Sequence, residues 1–234
     1  MESKCVSLND VLGVLKGVDR FIIKPSHDSE QGRNVKLINT NTDDVGQVLR
    51  EFKQDFIIQE VVSQSSRTAL FHKESLNTFR ISTLNLNGKT SLCNILFRCG
   101  QGKSVVDNGF AGGLMAGVSP DGRFLEPAYD KFFNRYNETA DGIMFQGNCI
   151  AEMPQIVEQL LKWHADYLPH IGFVGWDIAL DKDENPVMIE VNLRGPGIQF
   201  EQLCSKTPLF GDRTDEVMDY VKTRSLKLIE FVSI

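Results

Sequence analysis

The sequence predicts an α+β fold built mostly of antiparallel sheet, and three observations carry that expectation. Strand-like and helix-like stretches alternate without a strict strand–helix–strand order. Asn87-Gly88 separates two apolar runs, a strong hairpin signal. A second ribbon, residues 173–193, alternates with period two on both sides of a polar turn at 182–185.

The elements follow in order. Ser7 is placed to cap a short helix over residues 8–16 that ends at Gly17. Residues 20–24 form a strand, 25–33 a polar loop containing Gly32, and 34–38 a second strand. Thr42 is expected to cap a helix through Lys53, with Val45, Val48, Leu49 and Phe52 at helical spacing. Residues 56–63 read as an apolar strand interrupted by Gln59 and Glu60. Strands at 78–86 and 90–98 flank Asn87-Gly88, and 112–118 and 123–127 read as a further hairpin around Pro120-Asp121-Gly122. Residues 129–149 carry no clear period, 151–168 form an amphipathic helix, and 198–205 and 214–232 read as helices. There is no repeat, low-complexity tract or linker.

Composition excludes several classes. With 41% hydrophobic and 24% charged residues the chain has an ordinary globular balance. Its net charge of −6 predicts no general affinity for nucleic acid. No apolar run reaches the length of a membrane span, and the first residues do not resemble a signal peptide. The five cysteines are scattered and form no Cys-x-x-Cys pair, which reads as reduced thiols in a cytoplasmic protein.

The ribbon at 173–197 is the focus. If Asp181 faces Pro186 across the turn, Asp177 lies opposite Glu190 and Gly175 opposite Asn192. Val174, Trp176, Ile178 and Leu180 then share an apolar face with Val187, Ile189, Val191 and Leu193. The other face carries Asp177, Glu190 and Asn192 among small neighbours. Like charges placed opposite each other repel. Two carboxylates and an amide oxygen form a donor set for a hard divalent cation, so this face reads either as a Mg2+ site or as the solvated acidic side of an edge hairpin.

Lys24 ends an apolar strand and adjoins the loop around Gly32, which reads either as a phosphate-closing loop or as an ordinary strand end. Gly88-Lys89-Thr90 and Gly102-Lys103-Ser104 are not P-loops, because the position five residues before each glycine holds Thr83 or Phe97. Arg80 and Arg98, on the two arms of the Asn87-Gly88 hairpin, suit phosphate or carboxylate.

Taken together, the chain resembles the ATP-grasp superfamily, and within it the sugar-transfer-associated ATP-grasp proteins. The resemblance covers roughly residues 20–221 and rests on an ordered series. A strand lysine and loop come first, then Gln59-Glu60-Val61-Val62, Asn77-Thr78-Phe79-Arg80, Val106-Asp107-Asn108 with a following Gly112-Gly113, Gly175-Trp176-Asp177, and Glu190-Val191-Asn192 with Gly195-Pro196-Gly197. It implies a nucleotide held between two α+β subdomains, residues 1–64 and 65–234. Lys24 and the loop at Gly32 would meet the phosphates, and Gln59, Glu60 and Val62 would grip adenine. Gln64 would approach the ribose and Asn108 the terminal phosphate. Asp177, Glu190 and Asn192 would hold magnesium, two ions in all. Arg80 and Arg98 would hold phosphates or the acyl substrate, and Arg194 would border the acceptor pocket.

The implied activity is an ADP-forming carboxylate–amine ligase working through an acyl phosphate, with ATP and Mg2+ as cofactors. Its substrates would be small or sugar-linked acids and amines, in cell-surface polysaccharide biosynthesis. Such enzymes usually carry a further N-terminal α/β domain. Little chain precedes Lys24, so the expectation includes a fragment, a reduced first domain, or a partner chain that completes the site. A non-catalytic ATP-binding module and a phosphotransferase that forms no amide stand as alternatives.

Overall fold

The computed structural model describes residues 7–26, 34–52, 55–102, 112–193 and 197–232, with only the backbone for 224–232. Gly32, Asn108 and Arg194, like most of the phosphate loop and the Gly195-Pro196 pair, lie outside the described residues.

Two compact units are present, Met1–Val62 and Ser63–Ile234. The smaller begins with α1 (Leu8–Val14), where Ser7 and Asp10 cap each other reciprocally. Then come β1 (Arg20–Pro25), β2 (Lys36–Asn39), α2 (Val45–Phe52) and β3 (Phe56–Glu60), with β1 the middle strand of an antiparallel sheet. Leu15, Phe21, Ile23, Ile38 and Leu49 form its core. Thr42 does not cap α2. Its hydroxyl turns back to Asn39 and Asp43, and Asp44 accepts from the Gln47 amide at 2.9 Å, the capping contact one turn into the helix.

The larger unit is organised on a seven-stranded sheet. Its elements are α3 (Ser66–Ala69), β4 (Thr78–Leu86), β5 (Lys89–Cys99), β6 (Leu114–Val118), β7 (Ala128–Tyr129), β8 (Arg135–Tyr136), α4 (Met153–Tyr167), β9 (Phe173–Leu180), β10 (Pro186–Asn192), α5 (Gln199–Ser205) and α6 (Thr214–Val232). The strand order is β10-β9-β4-β5-β6-β7-β8, antiparallel at every pairing. Asn87 and Gly88 both take positive φ, as a two-residue hairpin turn requires. The expected strand at 123–127 is reduced to bridges, Val118 with Phe124 and Arg123 with Cys149.

One face of this sheet is apolar. Phe79, Ile81, Ile95, Phe97, Val174, Trp176 and Ile178 are buried under Met153, Ile156, Val157 and Leu160 of α4. Phe71, Phe97, Phe124 and Phe145 add a cluster of rings, with Phe71 and Phe124 stacked at 4.7 Å. The Asn77 side chain, one residue before β4, donates to the carbonyls of Thr68 and His72. His72 bonds Ser75 and the Gly102 carbonyl, which gives that histidine a purely structural role.

The β9–β10 ribbon departs from the expected register at its turn end. Leu180, not Asp181, faces Pro186, and Ala179 faces Val187. A bulge between Met188 and Glu190 absorbs the extra residue, and beyond it Asp177 faces Glu190 and Gly175 faces Asn192. Asp181 closes the turn instead, its carboxylate accepting from the amides of Asp183 and Asn185.

Candidate functional site

The other face of the large sheet carries a polar cluster beside the apolar residues Leu96 and Met115, which pack with Cys204 of α5. Strand register lays Leu96, Arg80, Asp177 and Glu190 side by side across β5, β4, β9 and β10. The next row two residues along holds Asn94, Ser82, Gly175 and Asn192. Glycine at 175 leaves room above the strand between Ser82 and Asn192.

Asp177 is the centre of the cluster. It is buried, and its two oxygens take three guanidinium N–H contacts. Arg80 donates from Nε to Oδ1 and from Nη2 to Oδ2 at 3.0 Å, and Arg98 Nη2 reaches Oδ2 at 3.1 Å. Arg98 also donates to the Thr78 hydroxyl from both Nε and Nη2. Burial pushes the Asp177 carboxyl up. The charges of Arg98 and Arg80 and the hydrogen bonds they donate outweigh it, so Asp177 is held below the ordinary carboxylate range. Asn192 directs its amide nitrogen at Asp177 Oδ2 at 3.5 Å, and the same amide turned over presents its oxygen there. Glu190 stands exposed on the edge strand, directly opposite Asp177.

These oxygens fit a hard divalent cation in kind and placement, since two carboxylates face each other and an amide lies two residues further along the same face. Among the described residues no group of three or more His, Cys, Asp or Glu is placed to hold an ion, and the third polar group beside these two carboxylates is the Asn192 amide.

Residue Glu201, which the sequence reading passed over, joins this cluster. It sits in the first turn of α5, 1% exposed, beneath the sheet face that carries Arg80 and Ser82. Burial pushes its carboxyl up to about 7, the Ser82 hydroxyl and the Arg80 charge pull against that, and Asp177 adds to it. Neither oxygen has a well-aligned hydrogen-bond partner, and the Ser82 hydroxyl and the Asn94 amide nitrogen nearby are likewise buried without one. A signal for Glu201 exists in the sequence. Phe200, Leu203 and Cys204 form the apolar stripe of α5, and Glu201 lies one turn from Cys204 within it.

The remaining expected residues lie in the smaller unit. Lys24 faces Ile57 and Ile22 faces Gln59, so Lys24 and Gln59 share the sheet face turned away from Phe21 and Ile23. Glu60 is the last paired residue of β3, opposite Phe21, and Val62 lies just beyond it. Gln64 belongs to the larger unit, where its amide donates to the Ser75 carbonyl and accepts from the Asn77 backbone. Cys93 and Cys204, both pushed to about 12 by burial, stay thiols and offer no nucleophile.

Comparison with known proteins gives this geometry a context. A family model described as sugar-transfer associated ATP-grasp matches residues 7–217. Among solved structures, the ATP-grasp ligase PsnB complexed with a minimal precursor, Mg and ADP superposes with a TM-score of 0.51 at 12% identity, covering 92% of this chain and 50% of that one. The biotin carboxylase domain of the 2-oxoglutarate carboxylase from Hydrogenobacter thermophilus, with MgADP and bicarbonate, gives 0.50 at 9% identity over 87% of this chain and 37% of that one. The chain thus spans about half the length of these structures or less. At such identities the likeness establishes the fold. A sequence comparison with characterised proteins returned no match. A mixed α+β chain on antiparallel sheets, superposable on ATP-grasp structures and matched by one family model over most of its length, belongs to the sugar-transfer-associated ATP-grasp family.

Proposed function

We propose that this protein is an ATP- and Mg2+-dependent ligase that joins a carboxylate to an amine through an acyl phosphate. The observation that carries the proposal is the row Arg80–Asp177–Glu190, with Arg98 and Asn192 beside it. It sets two arginines against two opposed carboxylates on one sheet face. In this reading the smaller unit supplies nucleotide contacts, Lys24 at the phosphates and Gln59, Glu60 and Val62 at adenine; Gly32 and Asn108, also assigned to the phosphates, lie outside the described residues. The larger unit supplies the metal and acceptor groups.

The reaction has two steps. The substrate carboxylate oxygen attacks the γ-phosphorus and ADP leaves. The amine then attacks the acyl carbon, phosphate leaves, and the amine gives up a proton. Asp177, Glu190 and Asn192 would hold Mg2+, which when bound supplies neutralising charge at the phosphate oxygens. Arg80 and Arg98 would hold phosphates or the acyl substrate, their charge offsetting that of the phosphoryl group. In the absence of a cation, Asp177 holds both guanidinium groups at this face. Arg194 borders the acceptor. We assign the acid or the amine to sugar-linked compounds, in polysaccharide assembly, a reading that the match to a sugar-transfer associated family supports. Among the described residues no helix is long and apolar enough to cross a membrane, and we place the protein in the cytoplasm, where ATP is supplied.

A second reading, an ATP-binding module without turnover, is favoured by one observation, the three guanidinium contacts that already occupy Asp177. The test is ADP release screened over pairs of sugar-linked acids and amines. Turnover by the wild type and its loss in Glu190→Gln with the fold intact supports the ligase. Turnover of Glu190→Gln at the wild-type rate sinks the metal assignment, and nucleotide binding without ADP release from any pair favours the module.

A further inference from the structure

Two features of the cluster are unexplained by the ligase reading. Asp177 is to bind a cation, yet its oxygens already accept three guanidinium N–H groups. Glu201 is buried beside them, and its oxygens have no well-aligned hydrogen-bond partner, with the Ser82 hydroxyl as a nearby donor. Buried polar groups almost always find hydrogen bonds, and an orphan carboxylate is among the costliest exceptions. The two features answer each other. A guanidinium next to a divalent ion on one carboxylate is repelled by it, with a Coulomb energy of several kcal/mol at an effective dielectric of about 20. Of the charged groups around Glu201, Arg80 acts on it most strongly. Arg80 holds Asp177 through Nε and Nη2 only, which leaves Nη1 to reach elsewhere.

We propose that Glu201 is a positioning residue, the second seat of the Arg80 guanidinium. When Asp177 turns an oxygen to the cation, Arg80 releases Asp177 and pairs with Glu201. The inference rests on the assignment of Asp177, Glu190 and Asn192 as cation ligands. The exchange removes like-charge repulsion at Asp177 and gives Glu201 a charged donor. It also fixes where Arg80 points during the reaction. Its fork is then held by Glu201 and no longer competes with the cation for Asp177. The Ser82 hydroxyl, buried and unpartnered on the same face two residues from Arg80, can donate to Glu201 in either state.

The test reads cation binding without turnover, by the loss of the free Mn2+ electron paramagnetic resonance signal in the presence of ADP. Glu201→Gln should weaken Mn2+ binding about tenfold, the loss of one charge-assisted hydrogen bond. Glu201→Asp should stay within about threefold of the wild type, since a carboxylate remains to receive the fork. In an Arg80→Leu background, which has no guanidinium to move, adding Glu201→Gln should change Mn2+ affinity no further. Equal Mn2+ affinity of wild type and Glu201→Gln overturns the inference. So does a tenfold effect that persists in Arg80→Leu, which would mark a remote charge effect and not a transfer. If the wild type binds no Mn2+, the cation assignment fails and this inference with it. Binding by the wild type with no effect of Glu201→Gln refutes the inference alone. A further reading needs no Glu201 variant. The Arg80 side-chain 15Nε resonance, assigned by Arg80→Lys, should shift when Mg2+ and ADP are added together, and an unmoved resonance overturns the transfer.

Discussion

Replacing Asp177 by Asn removes one negative charge from between two arginines that cannot lose their own. Both ion pairs are close, with Arg98 Nη2 at 3.1 Å, and the three side chains are only 9% to 17% exposed. At an effective dielectric of about 20, each pair contributes roughly 5 kcal/mol of Coulomb energy before desolvation. Most of that offsets the cost of burying the ions, and breaking a buried pair by removing one partner costs about 3–5 kcal/mol. The Asn oxygen still accepts one N–H, which lowers the expected loss to about 2–3 kcal/mol, a fall of roughly 4–12 °C in Tm. Urea denaturation followed by tryptophan fluorescence measures it, since Trp163 and Trp176 both lie in the larger unit. The pH dependence adds a second check. Asp177 is held below its unfolded value of about 4, so its contribution is complete above that pH and is lost as pH falls through the folded value. Asp177→Asn should flatten the acid limb. A loss below about 0.5 kcal/mol with an unchanged acid limb would refute the view that the arginine–aspartate cluster holds this face together.

Other perturbations reach different parts of the chain. His164 is fully buried, bonded to the Thr83 hydroxyl at 2.7 Å and to the Ile171 carbonyl at 2.9 Å, and burial lowers its pKa. Stability should therefore be full above about pH 6.5 and decline as pH falls towards the folded value, and His164→Gln should remove that slope in pH-dependent melts. Gly122→Ala should cost at least about 3 kcal/mol in urea unfolding, because Gly122 has φ +89° and an added Cβ would collide with the Ile150 carbonyl. Lys24→Ala should raise the nucleotide Kd about tenfold by calorimetry, and an unchanged Kd removes its phosphate role.

The residues that were legible in the sequence are those whose neighbours are fixed by strand pleating. Asp177, Glu190 and Asn192 could be placed on one face by counting in twos. Counting back from the Asn87-Gly88 turn puts Arg80 opposite Ile95 and Arg98 on the other face, and a bulge between Ser82 and Thr83 instead sets Arg80 opposite Leu96 and brings both arginines to one face. Counting in twos cannot see a bulge, so the turn end of the β9–β10 ribbon was set one residue out. The cap of α2 was misplaced because Thr42 and Asp44 both have capping side chains, and the loop after Asn39, not local preference, selects Asp44. Glu201 was missed for a longer-range reason. In a short helix an acid in the first turn reads as a favourable dipole partner facing solvent. Only the packing of α5 across β5 and β6 buries it, and that contact joins residues about a hundred positions apart. The direct hold of Arg80 and Arg98 on Asp177 was out of reach for the same reason, since pairing of β4 with β9 spans 97 residues.

The irregular residue pair at Met188 and Glu190 separates the ribbon into two mechanical parts. Towards the turn, the chain is tied down by the Glu184 carboxylate, which accepts from the Ser65 hydroxyl and pairs with Arg67. Towards the acidic residues, alignment is dictated by the neighbouring strands. A change of loop length between Asp181 and Pro186 can therefore be taken up at the kink without sliding Glu190 past Asp177. The chemistry-bearing end keeps its alignment while the turn end is anchored separately, through Glu184.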